Sequence, residues 1–143
     1  IMTVGLGSCI GKIIYDEKSK VGGLSHIMLP DSKPFAAKSD VNPAKFADTA
    51  IPLMYQHLKR KVPNGRFKAK VVGGANMFSF KSATSGTGNI GQRNAEAVME
   101  VLKELRIPVV SSHTGGNSGR TMIVDLNDFT CMVRIVHQDV IYN

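Results

Sequence analysis

A cysteine among glycines lies close to the start of the chain, in the segment Gly5-Leu6-Gly7-Ser8-Cys9. Glycines let the backbone bend tightly, so backbone N–H groups can converge near the sulfur, as an oxyanion hole requires. A free cysteine is also often a small buried residue, here beside a β-bulge. The segment therefore indicates either a nucleophile with its oxyanion hole or a structural cysteine.

A histidine, His26, lies inside the apolar, strand-like segment Val21–Leu29, which Pro30 ends. By itself, such a histidine would be structural. Antiparallel neighbours bring positions ~15–20 residues apart side by side, and Cys9 and His26 have that separation. Because a cysteine needs a base to react as a thiolate at neutral pH, and histidine is the usual one, the two residues form a candidate nucleophile–base pair.

The other histidines and the second cysteine have no comparable context. No glycine-cradled nucleophile lies in the segments of the remaining histidines, which we expect to be structural or exposed: His57, His113 and His137. We expect Cys131 to lie in the core. A disulfide between Cys9 and Cys131 is not expected in a cytosolic protein.

A glycine-rich loop, Gly115-Gly116-Asn117-Ser118-Gly119, precedes Arg120. It lacks the Gly-Lys-Ser/Thr ending of a phosphate-binding P-loop, and no helix pattern follows it. A loop lining a cleft, or a hairpin turn, fits better. Arg120 then either anchors a polar group of a substrate or lies at the surface.

The remaining pattern has two helices among about eight strands, which predicts a mixed α/β (α+β) layered fold. Three or four consecutive strands open the chain, so a simple doubly wound fold is not expected. The first helix starts at the cap Asn42 with Pro43 and runs to Lys61. The second follows Asn89 and runs to about Arg106, with an apolar stripe at Ala95, Val98, Met99, Leu102 and Leu105. Predicted strands are Ile1–Leu6, Ile10–Tyr15, Val21–Leu29, Phe67–Gly73, Ile107–Ser112, Thr121–Leu126 and Thr130–Val136; Ser82–Gly88 is the most flexible-looking segment.

Composition and charge limit the class of protein. The 143 residues are 43% hydrophobic, which is typical of one globular domain spanning residues 1–143. No apolar run is long enough to cross a membrane and no signal peptide is visible, so we expect a cytoplasmic protein whose natural chain begins before Ile1. The net charge is +7. A basic run between Lys59 and Lys70 predicts contact with nucleic acid, anionic lipid or an acidic protein surface, or else a solvated helix end and turn. Aromatic residues make up only 6% of the chain, which argues against a stacking-type nucleic-acid site.

Five sequence blocks follow one another along the chain: Thr3-Val4-Gly5-Leu6-Gly7-Ser8-Cys9, Leu24-Ser25-His26-Ile27-Met28-Leu29-Pro30, Lys70-Val71-Val72-Gly73-Gly74-Ala75-Asn76-Met77-Phe78, Ile90-Gly91-Gln92-Arg93-Asn94 and Gly115-Gly116-Asn117-Ser118-Gly119-Arg120. In this order the blocks resemble the CheD family of chemoreceptor glutamine deamidases, and the resemblance runs from about Thr3 to Ile135. Near the end, this chain has Thr130-Cys131 where members often have Thr-Gly.

The resemblance implies a cysteine hydrolase with the catalytic residues Cys9, His26 and Thr3, and with no metal or cofactor. It implies a layered β-sandwich with two main helices packed outside, similar to the catalytic domain of cytotoxic necrotising factor toxins. In this chemistry, Cys9 attacks the glutamine carboxamide and a thioester forms. Backbone groups at Gly7, Ser8, Cys9 and Ile10 stabilise the oxyanion, and Ser25, Gly116 and Arg120 are candidates for substrate binding.

The implied partners are the cytoplasmic helices of methyl-accepting chemotaxis receptors and a CheC-type phosphatase. Separately from the resemblance, we expect the protein to be a monomer. We expect the basic run Lys59–Lys70 to contribute to docking on glutamate-rich receptor helices. One alternative is a non-enzymatic module that regulates CheC or receptors. Another is a different cysteine hydrolase, such as a peptidase or receptor methylesterase. A nucleic-acid-binding domain ranks last, because it explains the charge alone.

Overall fold

A computed structural model of the chain describes residues 1–35, 42–76, 90–136 and the backbone of 140–142. The predicted flexible segment Ser82–Gly88, the helix cap Asn89 and His137 lie outside these ranges. The described strands and helices are β1 (Met2–Leu6), β2 (Ile10–Asp16), β3 (Val21–Ile27), α1 (Ala47–Lys61), β4 (Lys68–Gly73), α2 (Ile90–Glu104), β5 (Val109–Thr114), β6 (Arg120–Val124), β7 (Cys131–Ile135) and β8 (Val140–Tyr142). Neither of these helices is long and apolar enough to cross a membrane.

The strands form two four-stranded sheets. The central sheet has the order β3-β2-β4-β5, and the flanking sheet has the order β1-β6-β7-β8. In the central sheet β4 and β5 are parallel, joined through α2, whereas the other pairs are antiparallel. The described pairs of the flanking sheet are all antiparallel.

Strand β2 is buried along its whole length because both faces of the central sheet are covered. On one face, Ile10 and Ile14 pack in a cluster with residues of α1 and α2. On the other face, Ile13 and Tyr15 pack in a cluster with residues of the flanking sheet. The order of layers is therefore helices, central sheet, flanking sheet, which confirms the predicted mixed sandwich with two helices outside.

The predicted start of the first helix at Pro43 was wrong. Residues Pro43–Lys45 form a separate 3-10 turn, for which Asn42 is the cap. Phe46 then has an extended backbone and bridges Leu29, and α1 begins only at Ala47. The chain bends here because its backbone hydrogen-bonds to Leu29 beyond the end of β3, which local sequence does not reveal.

The apolar stripe of the second helix is also rotated from the prediction. Val98 and Leu102 are buried as expected, but Met99 is 38% exposed, and Gly91 and Asn94 lie on the buried face instead. The three-residue strand β8 was not predicted, because so short a strand leaves no readable periodicity.

Candidate active site

The β2–β3 hairpin brings the predicted nucleophile and base to the same face of the central sheet. Gly11 pairs directly with His26, and Ile10 with Ile27. Cys9 immediately precedes β2 and shares a face with Gly11, so it is the diagonal cross-strand neighbour of His26. Diagonal neighbours in a sheet lie about 7–8 Å apart, within reach of a long or aromatic side chain. Cys9 also packs against the cluster between the sheets, which is the side that His26 faces.

Thr3 joins this face from the flanking sheet. Its Oγ1 lies 2.8 Å from His26 Nδ1, at hydrogen-bonding distance. The contact is possible because Gly11, opposite His26, has no side chain: a Cβ there would lie 3.0 Å from Thr3 Cγ2 and 2.9 Å from Leu6 Cδ1. The glycine thus leaves the space in which Thr3 reaches the imidazole.

The environment favours the neutral forms of both reactive groups. Burial raises the pKa of the Cys9 thiol and lowers the pKa of His26. Both shifts have the same cause, because removal from water disfavours thiolate and imidazolium alike. A histidine beside a thiol can either hold it as a stored thiolate–imidazolium pair or remove its proton during attack, and these directions favour removal of the proton during attack.

Three successive carbonyl groups around the cysteine accept hydrogen bonds from other elements. Gly7 O accepts from Ala75 N at 2.8 Å, and Cys9 O accepts from Gly74 N at 2.9 Å. Ser8 O accepts from the side chain of Asn94 at 2.9 Å. Because a trans peptide directs its N–H opposite to its C=O, these bonds also fix the directions of the Ser8 and Cys9 N–H groups.

Gly73, at the end of β4, allows the backbone of β4 to lie close to the carbonyl group of Cys9. Its φ is +120°, and a Cβ at this position would lie 2.2 Å from Cys9 O. A side chain would therefore meet both backbone strain and a clash with the peptide of the nucleophile. The sequence showed the pair Gly73-Gly74 only as the end of a strand.

Asn94 of α2 is a site residue for which sequence analysis assigned no role. It is fully buried, and its Nδ2 donates to Ser8 O and to Met28 O, both at 2.9 Å. Its amide therefore connects the loop before Cys9 with the end of β3 after His26. The available signal was an asparagine on the buried face of a helix, where polar residues need a specific partner.

The three candidates for substrate binding have different surroundings. Arg120 is only 5% exposed, and its guanidinium donates to Gly73 O at 2.7 Å, to His113 O at 3.0 Å and to Gly115 O. Gly116 O accepts from the backbone N of Asn76 at 2.8 Å. The glycine-rich loop is thus tied to the end of β4.

Ser25 lies elsewhere, in the wall of a cavity of about 480 Å³ between β3 and α1, which His26 and His57 also line. The second cysteine, Cys131, also lies in the layer between the sheets, on strand β7. Cys131 and Cys9 are both free, and Cys131 is fully buried between the sheets, where burial raises its thiol pKa to about 11.

The comparisons with known proteins all match the same family. The sequence model described as "CheD chemotactic sensory transduction" matches residues 28–135. Proteins called "Probable chemoreceptor glutamine deamidase CheD" match over 95% of this chain: one from Clostridium botulinum (strain Eklund 17B / Type B) is 53% identical over 83% of its length, and one from Clostridium acetobutylicum is 51% identical over 81%. One from Moorella thermoacetica is 48% identical over 81% of its length. With 95% of the chain covered, these matches include the β2–β3 hairpin that precedes the family-model match.

Proposed function

The chain belongs to the CheD family, and we propose that it hydrolyses the side-chain amide of glutamine residues on chemoreceptors, leaving glutamate and releasing ammonia. The observation that carries the proposal is the Thr3–His26 hydrogen bond on the face that Cys9 shares. A nucleophile beside a base that a third group orients is the arrangement of nucleophilic acyl transfer. The names of the relatives supply the substrate.

His26 and Cys9 carry the two halves of the reaction. With its Nδ1–H donated to Thr3 Oγ1, His26 takes the thiol proton on Nε2 as the sulfur attacks the amide carbon. Nε2 then returns that proton to the amide nitrogen, and the C–N bond breaks. The nitrogen leaves as ammonia, and the acyl group remains on Cys9 as a thioester. Water, deprotonated by His26, then hydrolyses the thioester and restores the thiol.

The oxyanion of each tetrahedral intermediate needs N–H donors in fixed positions. Gly7 N–H already donates to Gly5 O at 3.0 Å, and Ile10 lies in the ladder of β2. The N–H groups of Ser8 and Cys9 are therefore the proposed donors. The hydrogen bonds to the neighbouring carbonyls support this assignment, because they hold both peptide planes before substrate arrives.

The candidates for substrate binding take two different roles. Arg120 organises the glycine-rich loop through backbone carbonyls and does not touch substrate. Gly116 lies in the same loop beside the end of β4 and borders the substrate site. Ser25 lines the cavity next to His26, where it contacts residues near the target glutamine.

The wider setting follows from the family resemblance. Residues 1–143 form one catalytic domain, which acts in the cytoplasm as a monomer without a metal or cofactor. A CheC-type phosphatase, where one exists, competes with receptors for the enzyme. A purely regulatory binding module remains the second candidate, and it would need neither a thiol nor its base.

The test is mass spectrometry of a receptor cytoplasmic fragment incubated with wild type, Cys9→Ala, His26→Ala and Cys131→Ala. We expect the mass increase of amide-to-acid conversion with wild type and with Cys131→Ala, the matched change at the other free cysteine. Cys9→Ala and His26→Ala should give none. Equal masses with wild type and Cys9→Ala, for a fragment that both proteins bind, would contradict the proposal and favour the binding module.

A further inference from the structure

Arg120 is a buried cation that is held by backbone carbonyl groups. It alternates along β6 with Met122, so it points into the layer between the sheets. Its guanidinium donates to Gly73 O, His113 O and Gly115 O. No carboxylate among the described residues forms a salt bridge with it, and burial lowers its pKa. Because a buried charge without an acidic partner is costly, its presence here calls for a specific role.

One peptide group separates this guanidinium from the backbone of the nucleophile. The carbonyl of Gly73 accepts from Arg120 Nη1 at 2.7 Å and from Gly115 N at 3.0 Å. The N–H of the same peptide group belongs to Gly74, and it donates to Cys9 O at 2.9 Å. In a trans peptide the C=O and N–H point in opposite directions. Arg120 and Cys9 are therefore bound to opposite sides of one planar unit.

The segment that follows β4 also contacts the proposed oxyanion donors. Ala75 N donates to Gly7 O at 2.8 Å, which sets the direction of the Ser8 N–H. On the other side, Asn76 N donates to Gly116 O at 2.8 Å. The segment thus lies between the loop that carries the thiol and the glycine-rich loop. Glycine loses more conformational freedom on folding than any other residue, so segments this rich in glycine need an anchor from outside.

We propose that Arg120 is a positioning residue for the reaction. By holding the peptide group between Gly73 and Gly74, it keeps the backbone around Cys9 in the geometry that receives the oxyanion. It contacts neither the thiol nor the substrate. A guanidinium suits this role, because its donors form a fixed planar fork that reaches carbonyl groups of several segments at once. The inference rests on the proposed function and adds to it a residue that acts through the backbone.

The test compares variants at two arginines, with a receptor cytoplasmic fragment as substrate. Arg120→Met keeps the apolar stem and removes the guanidinium. We expect its kcat to fall at least about tenfold and its KM to stay within about twofold, because donors that act on the oxyanion stabilise the transition state alone. Arg120→Lys keeps the charge but not the fork, so it should recover only part of kcat. Arg134→Met, at an exposed arginine of β7, is the control and should leave both constants unchanged.

The alkylation rate of Cys9 separates positioning of the backbone from an effect on the thiol. Attack of the sulfur on iodoacetamide takes place at a saturated carbon and forms no oxyanion. In a Cys131→Ala background, which leaves Cys9 as the one thiol, the rate and its pH dependence should therefore be the same in Arg120→Met and in wild type. Partial unfolding would instead expose the half-buried thiol and accelerate alkylation.

Three results would overturn the positioning role of Arg120. They are an alkylation rate that changes as much as kcat, a raised KM with unchanged kcat, which would make Arg120 a substrate anchor, and an unchanged kcat in folded Arg120→Met. If Arg120→Met does not fold, Arg120→Lys takes its place, and an unchanged kcat there counts against the role in the same way. A wild type that binds the fragment without deamidating it would overturn the proposed function together with this inference, whereas the three results above leave the proposed function intact.

Discussion

Replacing Lys12 by methionine should stabilise the fold, and the gain should shrink as the pH rises. Lys12 lies three residues after Cys9 in β2, fully buried on the face that meets the helices. No hydrogen-bond partner of its Nζ is found among the described residues. Burial without a partner disfavours the ammonium form and lowers its pKa from 10.5 to about 7.

The sign and size of the effect of Lys12 on the free energy of unfolding follow from proton linkage. Between the folded pKa near 7 and the unfolded value of 10.5, the unfolded chain binds more protons, so the stability of wild type rises with pH in this range. Below pH 7 both states are protonated and the penalty is complete, at about 5 kcal/mol for this shift. About 2 kcal/mol of it should be recovered between about pH 7 and 9. Methionine fills a similar volume and has no charge to desolvate.

The assay is urea unfolding of wild type and Lys12→Met at several values between about pH 6 and 9. The difference in unfolding free energy should be largest at the acidic end and decrease steadily above neutrality. Lys103→Met is the control, because this lysine is exposed and carries no burial penalty. A difference between Lys12→Met and wild type that stays constant over this pH range would refute the reasoning.

Three further substitutions test the site. Thr3→Val keeps the shape but removes the hydroxyl bonded to His26, so kcat should fall about tenfold with KM and melting temperature unchanged, and Thr3→Ser should restore it. Gly73→Ala sets a methyl group against Cys9 O at a left-handed φ, so unfolding in urea should show a loss of at least about 2 kcal/mol. Asn94→Leu removes two hydrogen bonds but also a buried Oδ1 that has no partner among the described residues, so stability should change by only about 1 kcal/mol while kcat falls strongly. Unchanged kcat in Asn94→Leu would contradict the role of this amide in holding the loop before the thiol.

Local sequence was sufficient to predict that the segments of Cys9 and His26 lie side by side. The two apolar runs are joined by the short charged segment Asp16–Lys20, and a short connection between strands leaves few possible registers. In the observed register Gly11 faces His26, which puts Cys9 one diagonal step away. The prediction needed only alternation of side chains and the length of the turn.

Contacts between distant segments could not be predicted in this way. Arg120 was interpreted as a substrate anchor or a surface residue, because its sequence neighbours are glycines and a strand. Its partners are carbonyls on Gly73, His113 and Gly115, which come together only when β4, β5 and β6 have assembled. Hydrogen bonds from an arginine to backbone carbonyls of distant segments produce no pattern in the sequence around that arginine.

The position of Asn94 on the buried face of α2 could be predicted only in part from the sequence. The predicted stripe on α2 followed its apolar residues, but the helix is rotated so that Gly91 and Asn94 also face inward. At Gly91 an added Cβ would lie 2.1 Å from Ala75 O, so glycine lets the helix pack against this carbonyl. That rotation turns Asn94 inward, where its Oδ1 finds no partner in the part of the chain that the structure describes, a cost that leucine would avoid. Because a buried polar atom without a partner lowers stability, the presence of an asparagine here needs another explanation. The two bonds to Ser8 O and Met28 O supply it, because they join the segments that carry the thiol and its base.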